Sequence, residues 1–144
     1  MKFWDSSAIV PLLVNEDNTD YCLTMLAHDP KMLIWCLSRV EVMSALCRRV
    51  RDGLMGSDEF QKTKERLKVI LGKVSEVSAI EKVRSRALRL LEVHPLRAAD
   101  ACQLAAALIS VQEEPEKLTI LCFDGRLQSA AIKEGFIVNP VNNP

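Results

Sequence analysis

The residues of this 144-residue chain that are best suited to chemistry are four acids, Asp5, Glu41, Asp100 and Asp124, and three of them stand in or beside its apolar segments. Asp5 follows the opening run MKFW, Asp124 follows LTILCF, and Asp100 interrupts the alanine-rich segment 96–108. Removing a carboxylate from water is costly unless the group is paired or bound to a cation. The repeated placement of acids beside apolar segments therefore indicates a use for them, most simply the binding of a cation.

A hard divalent cation such as Mg²⁺ or Mn²⁺ suits these residues, because it takes oxygen ligands, keeps bound waters and needs neither histidine nor cysteine. The two histidines, His28 and His94, lie beside proline turns and match no ligand spacing. An acidic cation site without a glycine-rich nucleotide loop is typical of phosphodiester hydrolysis. In that reaction the cations activate water and neutralise the scissile phosphate.

Apolar periodicity along the chain predicts short strands that alternate with helices. The predicted strands span residues 2–4, 32–37, 74–77, 118–123 and 136–138. The predicted helices span residues 6–14, 18–28, 38–51, 57–71, 80–93, 97–111 and 126–134, and a tail covers 139–144. Helices between strands imply crossover connections, hence an α/β fold with a mainly parallel sheet covered on both faces. Ligands bind at the carboxyl ends of such strands, and Asp5, Glu41 and Asp124 each follow one.

Each acid also has a purely structural explanation. Asp5 can be the N-cap of the helix that follows it, and Ser38 with Glu41 has the S-x-x-E spacing of a capping box. Asp100 lies in a first helical turn, where the helix dipole favours an acid, and Asp124 with the next glycine is typical of a turn before a helix. Taken singly, each acid is better explained as a cap. Three acids at one edge of a sheet favour a shared cation.

Length and composition favour a single domain over residues 1–144, in which the helical hairpin at about 38–72 is an elaboration. No apolar stretch reaches the ~20 residues that cross a bilayer, and the N-terminus lacks the features of a secretory signal. No two of the five cysteines have the C-x-x-C spacing of a zinc or redox site. This favours buried thiols in a reducing compartment. We therefore expect a cytoplasmic protein without membrane contact.

Charge is unevenly distributed along the chain. The net charge is zero, but residues 37–73 hold nine basic and five acidic side chains, a local charge of +4. Such a basic segment suits either phosphate contacts or the solvated surface of helices.

Four segments of the chain resemble the signature blocks of PIN-domain ribonucleases, and more narrowly those of VapC-type toxins of toxin–antitoxin pairs. They are FWDSSAIV at 3–10, EVMSALCR at 41–48, LRAADACQLA at 96–105, and FDGRL at 123–127 with the alanine pair at 130–131. The blocks occur in the family order and span essentially the whole chain. The last block departs from the family pattern at two places. Cys122 stands shortly before Asp124, where Thr or Ser is usual, and Gly125 follows it, where a bulkier residue is usual.

The resemblance implies a three-layer α/β/α PIN-like fold with a central, mainly parallel sheet and endoribonuclease activity that depends on Mg²⁺ or Mn²⁺. It also implies a homodimer and a small cognate antitoxin that binds near the active site and blocks it. The acids that would bind metal and catalyse RNA cleavage are Asp5, Glu41, Asp100 and Asp124. Ser7 matches a small polar position that supports the first aspartate, although Ser6 adjoins it. Arg97 would contact substrate phosphate, pair with a site acid, or cap a carbonyl at the surface.

Two other functions remain open for the same scaffold: a non-catalytic PIN-fold binding module, and an RNA-processing or DNA nuclease. The basic hairpin would contact either RNA or antitoxin. We expect Leu54 and Met55 on this hairpin to be exposed and available to a second subunit, and we expect Trp4 and Trp35 to lie in the core.

Overall fold

The computed structural model of the chain describes residues 1–141. Within them, five parallel strands form one sheet in the order β3-β2-β1-β4-β5. The strands are β1 (Lys2–Trp4), β2 (Met32–Trp35), β3 (Ser75–Val77), β4 (Thr119–Leu121) and β5 (Ile137–Asn139). The α-helices are α1 (Ser6–Ile9), α2 (Thr19–His28), α3 (Ser38–Arg51), α4 (Ser57–Leu71), α5 (Ile80–Val93), α6 (Ala98–Ser110) and α7 (Gly125–Lys133), and 3-10 turns span Val10–Leu12 and Pro115–Lys117.

Side-chain alternation along the strands divides the core into two layers of helices, one on each face of the sheet. Phe3 of β1 packs into a cluster with apolar residues of α5, α6 and α7. Its neighbour Trp4 points to the opposite face, into a cluster with residues of α1, α2, α3 and α4. This period of two is the direct result of strand geometry. The predicted α/β fold with a parallel sheet between two helical layers is confirmed.

Helix α6 is the most deeply buried helix beside the sheet, because its sequence is dominated by small side chains. The segment from Ala101 to Leu108 is almost wholly buried, with Cys102 the one partly exposed residue in it. Small residues allow a helix to approach its neighbours closely, and α6 packs against both α5 and strand β2. The first turn of α6, which carries Asp100, is thereby fixed at the carboxyl end of the sheet.

The sheet topology explains where a ligand site can form. The chain fills positions β1, β2 and β3 on one side and then crosses to β4 and β5 on the other. The order therefore reverses between β1 and β4, and open parallel sheets bind ligands at such a switch point. The Asp5 N–H donates to the Leu121 carbonyl across these two strands at 3.0 Å.

Several boundaries differ from the prediction. The helix expected over residues 6–14 is a short α1 followed by a 3-10 turn, since Pro11 has no N–H for an α-helical hydrogen bond. Strand β4 ends at Leu121, because Phe123 donates its N–H to the Ser7 hydroxyl. Asp124 therefore lies three residues beyond the strand rather than directly after it. Strand β2 likewise ends at Trp35, before the predicted end at residue 37.

The chain end differs in a similar way. The predicted final strand at 136–138 is shifted by one residue, so Asn139 belongs to β5 rather than to the tail. Residues 142–144 of the predicted tail lie outside the described residues. No described helix is both long and apolar enough to cross a bilayer.

The predicted helical hairpin consists of α3 and α4, which pack against each other. Leu54 in its turn is exposed, as expected, but Met55 is buried in the cluster with Leu46 and Leu67. The expectation that Met55 is a surface contact is wrong, because the tight turn folds this side chain back between the two helices. Trp4 and Trp35 are both buried, as predicted, and the five cysteines are free thiols.

Candidate active site

The four acids singled out by the sequence line one cleft at the carboxyl edge of the sheet. The cleft has a volume of about 510 Å³. It is lined by Asp5, Ser6, Ser7, Val40, Glu41, Ser44, Ala45, Arg48, Arg97, Ala99, Asp100 and Asp124. Side chains more than a hundred positions apart in the sequence therefore meet, because β1, β4, α3 and α6 all present their ends at this edge.

Asp5 is the most buried of the four acids, with 3% of its surface exposed. It follows β1 directly and is the N-cap of α1, where its Oδ2 accepts the Ser7 N–H at 3.1 Å and the Ser7 hydroxyl at 2.5 Å. The pKa of Asp5 is raised, first by burial and also by the negative charge of Glu41, while the hydrogen bonds from Ser7 oppose the rise. Asp5 is therefore both a cap and a cleft residue.

The two adjacent serines have different partners. Ser7 supports Asp5 and also accepts the Phe123 N–H at 3.0 Å, so it links the end of β1 to the loop after β4. Ser6 instead donates its hydroxyl to Glu41 Oε2 at 2.8 Å. The structure thus separates the two residues that the sequence could not tell apart.

Glu41 is positioned by contacts from two other parts of the chain. In addition to Ser6, the buried amide of Gln103 in α6 donates to Glu41 Oε2 at 3.1 Å. The capping box suggested by the S-x-x-E spacing does not form: the N-cap of α3 is Leu37, and the Ser38 hydroxyl pairs with Gln103. Sequence reasoning missed Gln103. The available signal was an amide at the third position after Asp100, within an otherwise apolar stretch.

Asp100 and Asp124 form the other side of the cleft. The pKa of Asp100 is raised to about 6, chiefly by burial and then by the charges of Asp124 and Asp5, while Arg97 and Arg126 lower it. Asp124 is the N-cap of α7, and its Oδ1 accepts the Leu127 N–H at 2.9 Å. The like charges in the cleft thus disfavour the ionised form of Asp100 at neutral pH.

Cys122 occupies the place in the last block where the family pattern has Thr or Ser. Its sulfur accepts the Asp124 N–H at 3.3 Å and lies 3.9 Å from the Ser7 hydroxyl. Burial and the neighbouring charge of Asp5 raise the pKa of the Cys122 thiol, so it stays protonated at neutral pH. Cys122 therefore packs beneath Asp5 and Asp124 as a neutral group.

Three arginines surround the acids. Arg48 of α3 and Arg97 line the cleft, and the charge of Arg126 in the first turn of α7 acts on Asp100. Arg97 is exposed at the N-cap position of α6, and its side chain makes no hydrogen bond within residues 1–141. The sequence singled out Arg97 and included Arg48 in the basic segment. Arg126 belongs to the block FDGRL, but the sequence did not reveal that its charge acts on Asp100, 26 positions away.

The comparison with protein families identifies the fold and its lineage. A family model described as the PIN domain matches residues 2–133. The chain belongs to the PIN-domain family. The resemblance of the four sequence blocks is confirmed at this level, and no match was found among curated proteins.

Solved structures similar to this PIN domain agree on the fold. FitAcB from Neisseria gonorrhoeae is 16% identical, with 96% of each chain covered and a TM-score of 0.67. PAE2754 from Pyrobaculum aerophilum is 23% identical, with 95% of this chain and 89% of that chain covered and a TM-score of 0.64. VapBC2 from Rickettsia felis, bound to a DNA fragment from its promoter, is 13% identical, with 96% of each chain covered and a TM-score of 0.61.

The donor chemistry of the cleft in this PIN domain fits a hard divalent cation. Its acids and serine hydroxyls are oxygen donors of the kind that Mg²⁺ and Mn²⁺ prefer. One oxygen each of Glu41 and Asp124 is held by protein donors, while the other accepts no hydrogen bond within the described residues. Among residues 1–141, no three Asp, Glu, His or Cys side chains form a group that could hold a metal ion as they stand. The acids line the cleft without forming a closed set of ligands. A cation bound there would therefore complete its coordination with water.

Proposed function

We propose that this PIN domain is an endoribonuclease that depends on Mg²⁺ or Mn²⁺ and acts as the toxin of a toxin–antitoxin pair. The observation that carries the proposal is the meeting of Asp5, Glu41, Asp100 and Asp124 in one cleft at the switch point of the sheet. Burial and then neighbouring negative charge raise the pKa values of Asp5 and Asp100. A cation bound between the acids would offset both effects, which supports cation binding.

Each acid has a distinct task in this proposal. Asp5, Glu41 and Asp100 would hold the catalytic cation, and Asp124 would hold a second or weaker one. When bound, the cation supplies Lewis-acid stabilisation of the phosphate and a lowered pKa for water. The chain itself contributes orientation: Ser7 fixes Asp5, while Ser6 and Gln103 fix Glu41. These contacts hold the carboxylates before substrate arrives, so little reorganisation is needed during the reaction.

The arginines complete the binding of a polyanion. An empty acidic cleft repels a phosphodiester backbone, and Arg48 and Arg97 place positive charge on its lining. Guanidinium groups bind phosphate oxygens through paired hydrogen bonds. We assign Arg97 to a phosphate of the RNA, in keeping with its exposed side chain and its lack of a hydrogen bond within the described residues.

The proposal of an antitoxin partner is supported by what a structure with the same fold contains. One of them is described as a toxin–antitoxin complex from Klebsiella pneumoniae, at 15% identity and a TM-score of 0.57, with 86% of this chain and 87% of that chain covered. We propose that a small antitoxin binds near the cleft and blocks it, that the chain forms a homodimer, and that it acts in the cytoplasm.

The decisive experiment is the substitution Asp5→Asn. Asparagine keeps an oxygen that can accept the Ser7 N–H, so the cap of α1 is retained and the thermal unfolding midpoint should not fall. The loss of one charged ligand should abolish Mn²⁺-dependent cleavage of single-stranded RNA and weaken Mn²⁺ binding in calorimetry. The control variant is Asp20→Asn, an exposed first-turn acid of α2 outside the cleft, which should cleave like the parent.

Three results would refute the assignment. Full cleavage by Asp5→Asn would show that the site lies elsewhere. A purified, antitoxin-free parent protein that binds RNA and Mn²⁺ without cutting would make the chain a binding module. Cleavage of single-stranded DNA in preference to RNA would make it a DNA nuclease on the same scaffold.

A further inference from the structure

An apolar pocket adjoins the acidic cleft and has no part in the proposed chemistry. Its volume is about 240 Å³, and it lies between the first turns of α3 and α6 at the end of β2. It is lined by Trp35, Leu37, Val40, Glu41, Ala98, Ala99 and Cys102. Val40, Glu41 and Ala99 line the acidic cleft as well, so the two spaces share a wall.

The rim of this pocket exposes apolar side chains beside a highly charged site. Leu37 is 48% exposed and Val40 is 63% exposed. Both precede Glu41 at the start of α3, where a polar residue would be solvated at no cost. Apolar surface next to a group of charges is typical of a binding site for a ligand that has both an apolar and a charged part.

Trp35, one of the residues that line the pocket, contains a buried polar atom without a partner within the described residues. The indole N–H of Trp35 is buried and has no hydrogen-bond partner within the described residues. Buried tryptophan N–H groups are normally paired, because leaving such a donor unsatisfied costs free energy. This N–H is closed to solvent, so an acceptor reaches it only if the wall of the pocket moves.

We propose that this pocket is a nucleobase subsite, which takes an unstacked base beside the scissile phosphate of single-stranded RNA. The inference rests on the proposed function, because it needs a phosphodiester in the adjoining cleft. Single-stranded RNA is recognised by bases that turn out of the stack onto aromatic and apolar side chains. A nucleobase has flat apolar faces and a polar edge, which suits a pocket with apolar walls beside a charged cleft.

Size and charge both favour this occupant. The pocket volume of about 240 Å³ is roughly eight times the ~30 Å³ that one water occupies in the liquid, so it can hold a ring system. Arg48 and Arg97 line the acidic cleft together with Val40, so a polyanion that contacts both arginines runs beside the wall that the two cavities share. A side chain of a protein partner is the other occupant, and the experiment distinguishes it.

The test compares two single-stranded oligoribonucleotides that differ only in one nucleotide at the cleavage site, which is intact in one and abasic in the other. For the parent protein we expect the abasic site to lower kcat/KM about tenfold, which corresponds to ~1.4 kcal/mol. The variants Leu37→Ser and Val40→Ser should reduce that penalty to about twofold, since the apolar rim is lost. The matched control is Val69→Ser on α4, which is 61% exposed outside both cavities and should keep the full penalty.

Equilibrium binding of both oligonucleotides, followed by fluorescence anisotropy, separates this inference from the proposed function. If the parent protein cuts no RNA, the proposed function fails, and the binding penalty of the abasic site then decides on the pocket. An abasic site that costs nothing in the parent, or an equal penalty in all variants, overturns the nucleobase subsite. So does a loss of antitoxin affinity in Leu37→Ser and Val40→Ser with an unchanged abasic penalty, which would assign the pocket to the protein partner.

Discussion

The substitution Gln103→Leu removes an amide that joins α6 to the start of α3. Gln103 is 1% exposed, and its Nε2 donates to Ser38 Oγ at 3.0 Å and to Glu41 Oε2 at 3.1 Å. Leucine has a similar size and no polar atom, so the main effect is the loss of hydrogen bonds. The wholly buried Ser38 hydroxyl then lacks its partner, whereas Glu41 keeps the hydrogen bond from Ser6.

The magnitude follows from these contacts. Leaving a buried hydroxyl unsatisfied costs about 1–3 kcal/mol, and a lost hydrogen bond to a charged group costs about 1.5–3 kcal/mol when it is fully desolvated. Since Glu41 is only half-buried and retains one donor, the total is about 2–4 kcal/mol. Urea unfolding should show a lower midpoint with an unchanged slope. Because Glu41 is also less well held, RNA cleavage under native conditions should fall.

A double-mutant cycle with Ser38→Ala makes the test specific. Replacing both partners by apolar groups removes the unsatisfied hydroxyl, so the double variant should be more stable than the sum of the single effects predicts, by about 1 kcal/mol or more. Effects that add to within about 0.5 kcal/mol would refute the reasoning, since they would show that Ser38 and Gln103 are energetically independent.

Two further predictions concern Asp100 and the core of α6. Because the pKa of Asp100 is raised to about 6, the folded chain keeps a proton that the unfolded chain releases between pH ~4 and 6, so stability falls as pH rises through this window. Asp100→Asn should therefore raise the metal-free melting temperature more at pH 7.5 than at pH 4.5, and equal shifts at both pH values would contradict this cause. Ala106→Leu introduces volume at a wholly buried position of α6 and should cost about 1–3 kcal/mol in urea unfolding. The same change at exposed Ala27 of α2 should stay within about 0.5 kcal/mol, and equal costs at the two sites would show that α6 has room to spare.

The fold was predictable because local patterns report directly on local structure. The alternation of Phe3 and Trp4 between two cores, and the small residues of α6, are consequences of strand and helix periods that can be read along the chain. The strand order was beyond reach, because it depends on which strands pair and not on the residues of any one strand. The end of β4 was overestimated for a related reason: Phe123 donates its N–H to Ser7, a partner that is distant in the sequence.

The candidate site divides in the same way. The sequence singled out Asp5, Asp100 and Asp124 because a carboxylate beside apolar residues is unusual wherever it stands. It singled out Glu41 because this residue follows a predicted strand. It could not reveal Gln103 as the partner of Glu41, because the two residues are 62 positions apart. For the same reason it could not reveal that Arg126 acts on Asp100, 26 positions away. The capping box at Ser38 was a reasonable local interpretation that failed, since Ser38 found a better partner in α6.

By itself the sequence predicted the element types and the parallel α/β architecture from short-range patterns, and it singled out four acids by their chemistry and placement. The PIN-domain family followed from the resemblance of four sequence blocks to those of the family. Only the tertiary structure decided that Ser7 holds Asp5 while Ser6 holds Glu41, that Met55 is buried, and that an apolar pocket shares a wall with the acidic cleft. These features depend on how separate elements pack against one another. That packing is fixed by burial and hydrogen bonding over the whole chain, so no local segment contains it.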